Sequence, residues 1–175
     1  MIKEAKISSI VSLFPIPQYV VVLEDLERTR LVPIWIGMNE GNAIALEMQG
    51  EKFPRPLTHD LLVSAVKMLG GEFVKVVISD LKENSYYAVI HLRQGERVFE
   101  IDARPSDSLA LAVRVHCPIY IDEKVLKKCP PMSTGPISKD DVEKFKEALK
   151  NMTPEEFFKR TANGLREWNP CHHTD

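Results

Sequence analysis

Short apolar runs separated by turn residues account for most of the chain. Residues 19–26 form a nearly continuous apolar run, the pattern of a strand that is covered on both faces. Pro33 lies inside the next run, at 31–36, and this position indicates an edge strand or a bulge. Similar runs, which predict five further strands, lie at 2–14, 73–81, 86–92, 98–102 and 119–121.

Three segments carry the apolar spacing of helices and begin beside residues that favour helix starts. They are 40–49 after Asn39, 58–69 with Thr58 as the cap, and 106–115 with Ser106 as the cap. The predicted order is therefore three strands and a helix, a linking helix, three strands and a helix, and a short last strand.

An internal repeat relates the two three-strand units. When Arg30 is laid on Arg97, Ile34 falls on Ile101 and Glu40 on Asp107 without a gap. The matches are mostly of residue type, so chance similarity is the alternative to duplication of units at about 5–50 and 72–117. The pattern predicts an α+β fold with two small, mostly antiparallel sheets and helices between them, in three layers β/α/β.

The composition changes after residue 126. A proline-rich linker follows, and two capping-box sequences then predict short helices at about 139–151 and 154–163. We therefore divide the chain into a domain at 1–126 and a linker with a helical C-terminal tail at 127–175, which we expect to be an appendage.

Composition narrows the class of protein. With 175 residues and 44% hydrophobic content, the chain can bury a core of its own. The three cysteines are widely spaced, the N-terminus lacks signal-peptide organisation, and no apolar run has membrane-spanning length. These features predict a reduced, cytoplasmic protein without membrane contact. The net charge of −2 gives no general attraction to nucleic-acid phosphates.

Two Arg-Pro turns precede predicted helix starts and carry candidate binding residues. Arg55 and Arg104 each stand before a proline, and Asp60 and Asp107 follow in the first helical turns. A helix N-terminus attracts anions, and a fixed arginine beside it adds two-pronged recognition of phosphate. In the alternative reading, each acid complements the dipole of its own helix.

Asp102 and His59 are the candidates for chemistry. Asp102 ends a strand and could hold a divalent ion such as Mg²⁺ together with Asp107, with Glu40 as a further candidate ligand; metal-assisted hydrolysis uses such clusters. Asp102 could instead form a structural ion pair with an arginine. His59, beside Asp60, could act as a general base or acid, or could be a surface or capping residue.

Several strings in the chain resemble the bifunctional nuclease domain family over about residues 5–125. They are LVPIWIG (31–37), EG (40–41), FPRPLTHD (53–60) and IDARPSDS (101–108). The resemblance implies cleavage of both DNA and RNA, a fold of duplicated three-strand-plus-helix units around a helical middle layer, and oligomers among bacterial members. Ala103 departs from the serine that is common at that position.

Two hypotheses remain open at this point. In the first, the chain is a nuclease assisted by Mg²⁺ or Mn²⁺: Arg55 and Arg104 hold phosphate, Asp102 and Asp107 hold the ion, and His59 with Asp60 transfers protons. In the second, it is a non-catalytic oligomeric binding or regulatory module, and the same residues form a structural ion-pair network. A homo-oligomer, with a dimer favoured, would use a sheet edge at Pro33 or at 119–121 as its seam.

Overall fold

Seven strands and six helices make up the residues that the computed structural model describes, which are 1–27, 29–129 and 137–162. The strands are β1 (Ile2–Ser12), β2 (Gln18–Asp25), β3 (Leu31–Gly37), β4 (Glu72–Lys82), β5 (Ser85–Gln94), β6 (Arg97–Ala103) and β7 (Ile119–Asp122). The helices are α1 (Met38–Met48), α2 (Thr58–Met68), α3 (Pro105–Val115), α4 (Glu123–Leu126), α5 (Lys139–Leu149) and α6 (Pro154–Ala162). The α+β class is confirmed.

A single sheet replaces the two predicted sheets, in the order β3-β2-β1-β7-β4-β5-β6. The short strand β7 joins the halves because it pairs antiparallel with β1 and parallel with β4. Its residue Ile121 is fully buried, so the expectation that 119–121 forms an exposed dimer seam is wrong. Strand β3 lies at one end of the sheet, and the edge position predicted from Pro33 is confirmed.

The sheet curls around its helices. Strands β3 and β6 lie at opposite ends of seven strands, which in a flat sheet would separate them by roughly 30 Å. Glu40, three residues after β3, nevertheless lies 3.1 Å from Arg104, which directly follows β6. Helices α1 and α3 therefore lie between the two halves of one curved sheet. They share a continuous core with β2, β4 and β5. Helices thus lie between two layers of strands, as predicted, but both layers belong to one sheet.

The C-terminal helices are part of the core. Strand β2 buries both faces: Val21 and Leu23 pack on the α1 and α3 side, whereas Val20 and Val22 pack with α5 and α6. The continuous apolar run of β2 predicted a strand covered on both faces, and the tail covers one of them. The expectation that the tail is an appendage is therefore wrong. The linker at 130–136 and the end of the predicted tail at 163–175 lie outside the described residues.

Three predicted helix caps are wrong by one or two residues. The N-cap positions are Gly37, Leu57 and Arg104 instead of Asn39, Thr58 and Ser106. At α3, Arg104 is extended and Pro105 takes the first helical position, where its missing N–H costs no hydrogen bond. The two halves share the order of three strands and an 11-residue helix, and the duplication itself stays a prediction. No helix in the described ranges is long and apolar enough to cross a membrane.

Candidate functional site

The first turns of three helices meet at one open hollow of about 610 Å³, which we call the His59 hollow. The starts of α1, α2 and α3 all contribute to its wall, with Asn39, Glu40, Thr58, His59, Arg104 and Asp107. Each helix start carries unpaired N–H groups and a partial positive charge. The two Arg-Pro corners, Arg55-Pro56 and Arg104-Pro105, are therefore neighbours in the fold although they are far apart in the sequence.

Four side chains, those of His59, Asp107, Arg104 and Glu40, form a continuous chain of contacts along this hollow. His59 Nε2 lies 3.1 Å from Asp107 Oδ1. Arg104 donates from Nε to Asp107 Oδ2 at 2.8 Å, and its Nη2 lies 3.1 Å from Glu40 Oε1. Glu40 of α1 and His59 of α2 are thus linked to each other through Arg104 and Asp107 at the start of α3.

The carboxyl group of Asp107 is held in its ionised form. Partial burial alone would raise the pKa of Asp107, but the hydrogen bonds from Arg104 and His59 outweigh burial and bring this pKa below its usual value. In turn, the hydrogen bond to Asp107 raises the pKa of the Arg104 guanidinium. Asp107 can therefore orient the His59 ring through the contact at Nε2.

Arg104 keeps a donor for a further ligand. Its bonds to Asp107 and Glu40 use Nε and Nη2, and the structure gives Nη1 no partner among the described residues. About two thirds of its side chain is exposed. Arg55 is also exposed and has no partner in the described part of the chain, and the adjacent Pro56 lines the His59 hollow. Both arginines predicted to hold phosphate are accessible.

Asp60 turns away from His59 toward the other end of α3. Its Oδ1 accepts a 2.7 Å hydrogen bond from Nε of Arg114, and its Oδ2 accepts the N–H of Leu57. Burial alone would raise the pKa of Asp60, yet these bonds lower it. This geometry fits the alternative reading, in which Asp60 complements the start of its own helix. Arg114 was missed by the sequence analysis, although a charged residue within the apolar run 109–115 is a signal.

Asp102 does not join Asp107. Its neighbours Ile101 and Ala103 pair with the core residues Ile90 and Ala88. Because successive side chains alternate across a strand, Asp102 points to the face of the sheet opposite to that of Ile101 and Ala103, which is the face away from the core. In the described residues no three His, Cys, Asp or Glu side chains are grouped to hold a metal ion. The side chains present do not fit the predicted Asp102–Asp107 metal site.

A second hollow of about 400 Å³ adjoins the first, and we call it the Trp35 hollow. Glu40 and Arg104 line both hollows, so their ion pair forms the shared wall. Trp35, Tyr86 and Ser106 also line it, and Pro154 brings in the start of α6. Trp35 and Tyr86 were not among the residues predicted for a site, because each reads as an ordinary apolar strand position.

Comparison with known proteins places the chain in a family. Residues 21–132 match the model of the bifunctional nuclease domain, which is more than half of the chain. The chain belongs to the bifunctional nuclease domain family. The match includes every residue of the two hollows except Pro154, and it ends before α5.

Some relatives of this bifunctional nuclease domain protein have names that give an activity, and others do not. An uncharacterized protein of Mycobacterium tuberculosis is 42% identical over 151 residues, which are 82% of this chain and 90% of the relative. Bifunctional nuclease 1 of Oryza sativa subsp. indica is 21% identical over 113 residues, 62% of this chain. The aligned part is 34% of the rice protein, so this chain corresponds to about a third of it.

Proposed function

We propose that the protein hydrolyses phosphodiester bonds in nucleic acid at the His59 hollow. The observation that carries this proposal is the meeting of three helix starts with His59, Asp107 and Arg104 at one solvent-open hollow. Helix starts and a free guanidinium N–H attract a phosphate group, and an oriented histidine can move a proton beside it. The names of the family and of the rice relative point to the same chemistry.

His59 would act as the general base. The hydrogen bond to Asp107 uses Nε2, so the tautomer that donates it keeps a lone pair on Nδ1. Water would attack the phosphorus atom and give its proton to Nδ1, while the bond from phosphorus to the leaving sugar oxygen breaks. The leaving oxygen would take a proton from solvent water and depart as a hydroxyl group, and the protonated His59 would return its proton to solvent. Asp107 would stabilise the protonated ring, as the acid does in other histidine-acid pairs.

Arg104 would hold the phosphate during this step. Its free Nη1 and its exposed position allow a contact with a non-bridging oxygen, and charge developing there would be stabilised in the transition state. Arg55 would contact a neighbouring phosphate of the same strand. Binding of Mg²⁺ or Mn²⁺ stays a prediction. Glu40 and Asp107 are the carboxylates that contact Arg104, so an ion held between them would have to displace the Arg104 side chain.

The test compares two histidine-acid pairs of the same protein. His59→Gln and Asp107→Asn should each lower the rate of cleavage of single-stranded DNA or RNA by about 10²–10⁴-fold. The matched control is His91→Gln, because His91 also lies beside a carboxylate, that of Glu100, but on β5 away from both hollows. Circular dichroism should show that all three variants are folded. If His59→Gln cleaves at the wild-type rate, the catalytic assignment is wrong.

A structural role is the second candidate for these side chains. The contacts from Arg104 to Glu40 and from Asp107 to His59 tie α1, α2 and α3 together, as an ion-pair network in a non-catalytic binding module would. On this reading Asp107→Asn lowers the melting temperature, and purified wild-type protein cleaves neither DNA nor RNA with or without Mg²⁺ or Mn²⁺. Cleavage that is lost in a fully stable Asp107→Asn variant contradicts it.

We also propose that a second copy of the chain covers α2 and β6. Helix α2 has no buried residue in the described structure, and β6 ends the sheet. Apolar side chains on these elements are strongly exposed, namely Leu61, Leu62, Met68, Leu69, Val98, Phe99 and Ile101. The exposed areas of these seven side chains add up to roughly 700 Å², which approaches one side of a standard interface.

The oligomeric state tests this surface. The wild type should have the mass of a dimer by light scattering, and Leu62→Ser combined with Met68→Ser should give the mass of a monomer. Leu26, in the turn after β2, and Met48, at the end of α1, are similarly exposed. Leu26→Ser with Met48→Ser is therefore the matched control and should leave the dimer intact. A wild-type monomer at micromolar concentration would contradict the proposal.

A further inference from the structure

The Trp35 hollow has the chemistry of a site for a flat, polar-edged ring. The indole of Trp35 and the ring of Tyr86 line it, together with the polar side chains of Asn84, Ser85 and Ser106. Its volume of about 400 Å³ lies within the range of small-molecule sites. Aromatic walls with a few polar groups are typical of pockets that bind a ring by stacking and fix it by hydrogen bonds.

Trp35 carries an unused hydrogen-bond donor. Its Nε1 is buried and has no partner among the described residues. A buried indole N–H usually finds an acceptor, since leaving it unpaired costs free energy. Because Nε1 has almost no accessible surface, a ligand in the hollow cannot reach this donor, and the indole can offer a ligand only its ring.

Arg104 connects this hollow to the proposed reaction site. The residue lines both hollows, with His59 and Asp107 on one side and Trp35 and Tyr86 on the other. A ligand with a phosphate on Arg104 could therefore place its next chemical group in the Trp35 hollow. In a nucleotide, that group is the sugar with its base.

We propose that the Trp35 hollow binds the nucleobase of the nucleotide whose phosphate lies on Arg104. This proposal rests on the proposed function, because it takes single-stranded nucleic acid as the substrate class. The base packs against the aromatic lining of Trp35 and Tyr86. The base must be unpaired to enter, so the site favours single strands over duplexes.

The C-terminal tail completes this subsite. Pro154 lines the hollow, and the rings of Phe157 and Phe158 lie 5.8 and 6.5 Å from the Trp35 ring. These residues lie outside the segment that matches the family model. The tail thus gives this protein a wall of the base site that the family domain alone does not supply.

Binding of a nucleotide and of its sugar phosphate tests the proposal. Trp168→Phe leaves Trp35 as the sole tryptophan of the two in the sequence, so its fluorescence reports on the hollow. Adenosine 5′-monophosphate should change this fluorescence saturably, and ribose 5-phosphate should bind about tenfold more weakly because it lacks the stacking base. Equal affinities, or no saturable change up to millimolar nucleotide, would overturn the proposal.

Two variants locate the base. Ser85 is exposed and lines the hollow, so Ser85→Gln should fill part of it and weaken nucleotide binding about tenfold without affecting ribose 5-phosphate. Glu83→Gln introduces the same side chain in the same turn but outside the hollow, and should change neither affinity. Trp35→Phe keeps a ring but offers a smaller stacking face, and calorimetry should show binding about fivefold weaker. Unchanged affinity in both Ser85→Gln and Trp35→Phe would overturn the proposal.

These measurements are independent of cleavage. If nucleotide binding requires the Trp35 hollow while His59→Gln cleaves normally, the base site stands and the catalytic assignment fails. If cleavage depends on His59 while Ser85→Gln leaves both nucleotide binding and cleavage unchanged, the proposed function stands and the base site is wrong.

Discussion

Replacement of Asp60 by Asn should destabilise the protein far more than it slows any reaction. Asp60 bonds to Arg114, whose side chain is 5% exposed, while the Asp60 side chain is 35% exposed. The substitution keeps the shape of the side chain and removes its charge. A buried guanidinium then remains without a countercharge, and this is the costly outcome when an ion pair is broken from one side.

The expected loss is about 2 kcal/mol of unfolding free energy. Breaking a fully buried pair costs about 3–5 kcal/mol, and this range is reduced here because Asp60 is about one third exposed and solvent screens its charge. The amide oxygen of Asn can still accept the N–H of Leu57. For a domain of this size, 2 kcal/mol corresponds to a fall in melting temperature of about 4–8 °C.

The pH dependence of this loss has a definite sign. The pKa of Asp60 is lowered in the folded protein, so its ionised form is more stable there than in the unfolded chain. The stabilisation is present above the unfolded pKa, about 3.9, and is lost as pH falls through the folded pKa. The difference in stability between wild type and Asp60→Asn should therefore be full at pH 7 and shrink below about pH 4.

Urea denaturation at pH 7 and at pH 3.5 measures both effects. A double-mutant cycle with Arg114→Met isolates the free energy of the interaction between Asp60 and Arg114. The double variant removes both charges and should recover part of the lost unfolding free energy. Cleavage by Asp60→Asn should stay within about threefold of the wild type. A change below 0.5 kcal/mol, or a large loss of cleavage in a fully stable variant, would refute the assignment of Asp60 to Arg114.

Three further substitutions test other parts of the structure. Asp102→Asn should leave cleavage and any stimulation by Mg²⁺ or Mn²⁺ within about twofold of wild type, because the residue lies on the opposite sheet face; a loss of metal stimulation would contradict this placement. Phe157→Ala should cost about 3–5 kcal/mol in urea denaturation, since the ring is fully buried against the sheet. Gly41→Ala should lower the unfolding free energy by about 1–3 kcal/mol, because a Cβ there would lie 2.2 Å from a ring carbon of Tyr19. Unchanged stability in Phe157→Ala or Gly41→Ala would contradict the close packing at that position.

Local pattern predicted the elements well, since each depends on nearby residues. The seven apolar runs correspond to the seven strands, and the tail helices begin at the capping boxes of Ser138 with Asp141 and Thr153 with Glu156. The two Arg-Pro corners were predicted to share a site, and the contact between His59 and Asp107 brings them together. The chemical roles of these residues stay predictions.

The errors arose where long-range pairing decides the outcome. Nothing within the four residues of β7 shows that both of its edges are paired, so one sheet was read as two. In β6, apolar residues stand on both faces, and the mixed pattern hid the alternation that turns Asp102 away from Asp107. Arg114 was overlooked because its partner Asp60 is distant in sequence and was assigned to another role.

The His59 hollow depends on the curvature of the whole sheet. Glu40 follows β3 and Arg104 follows β6, and these strands are the two ends of the sheet. His59 belongs to the helix that connects the halves. Neither half alone could therefore assemble the contacts, and the short strand β7 that joins the halves is as necessary to the site as the side chains themselves. A change that detaches β7 should separate Glu40 from Arg104 and open both hollows, even though no residue of β7 lines either one.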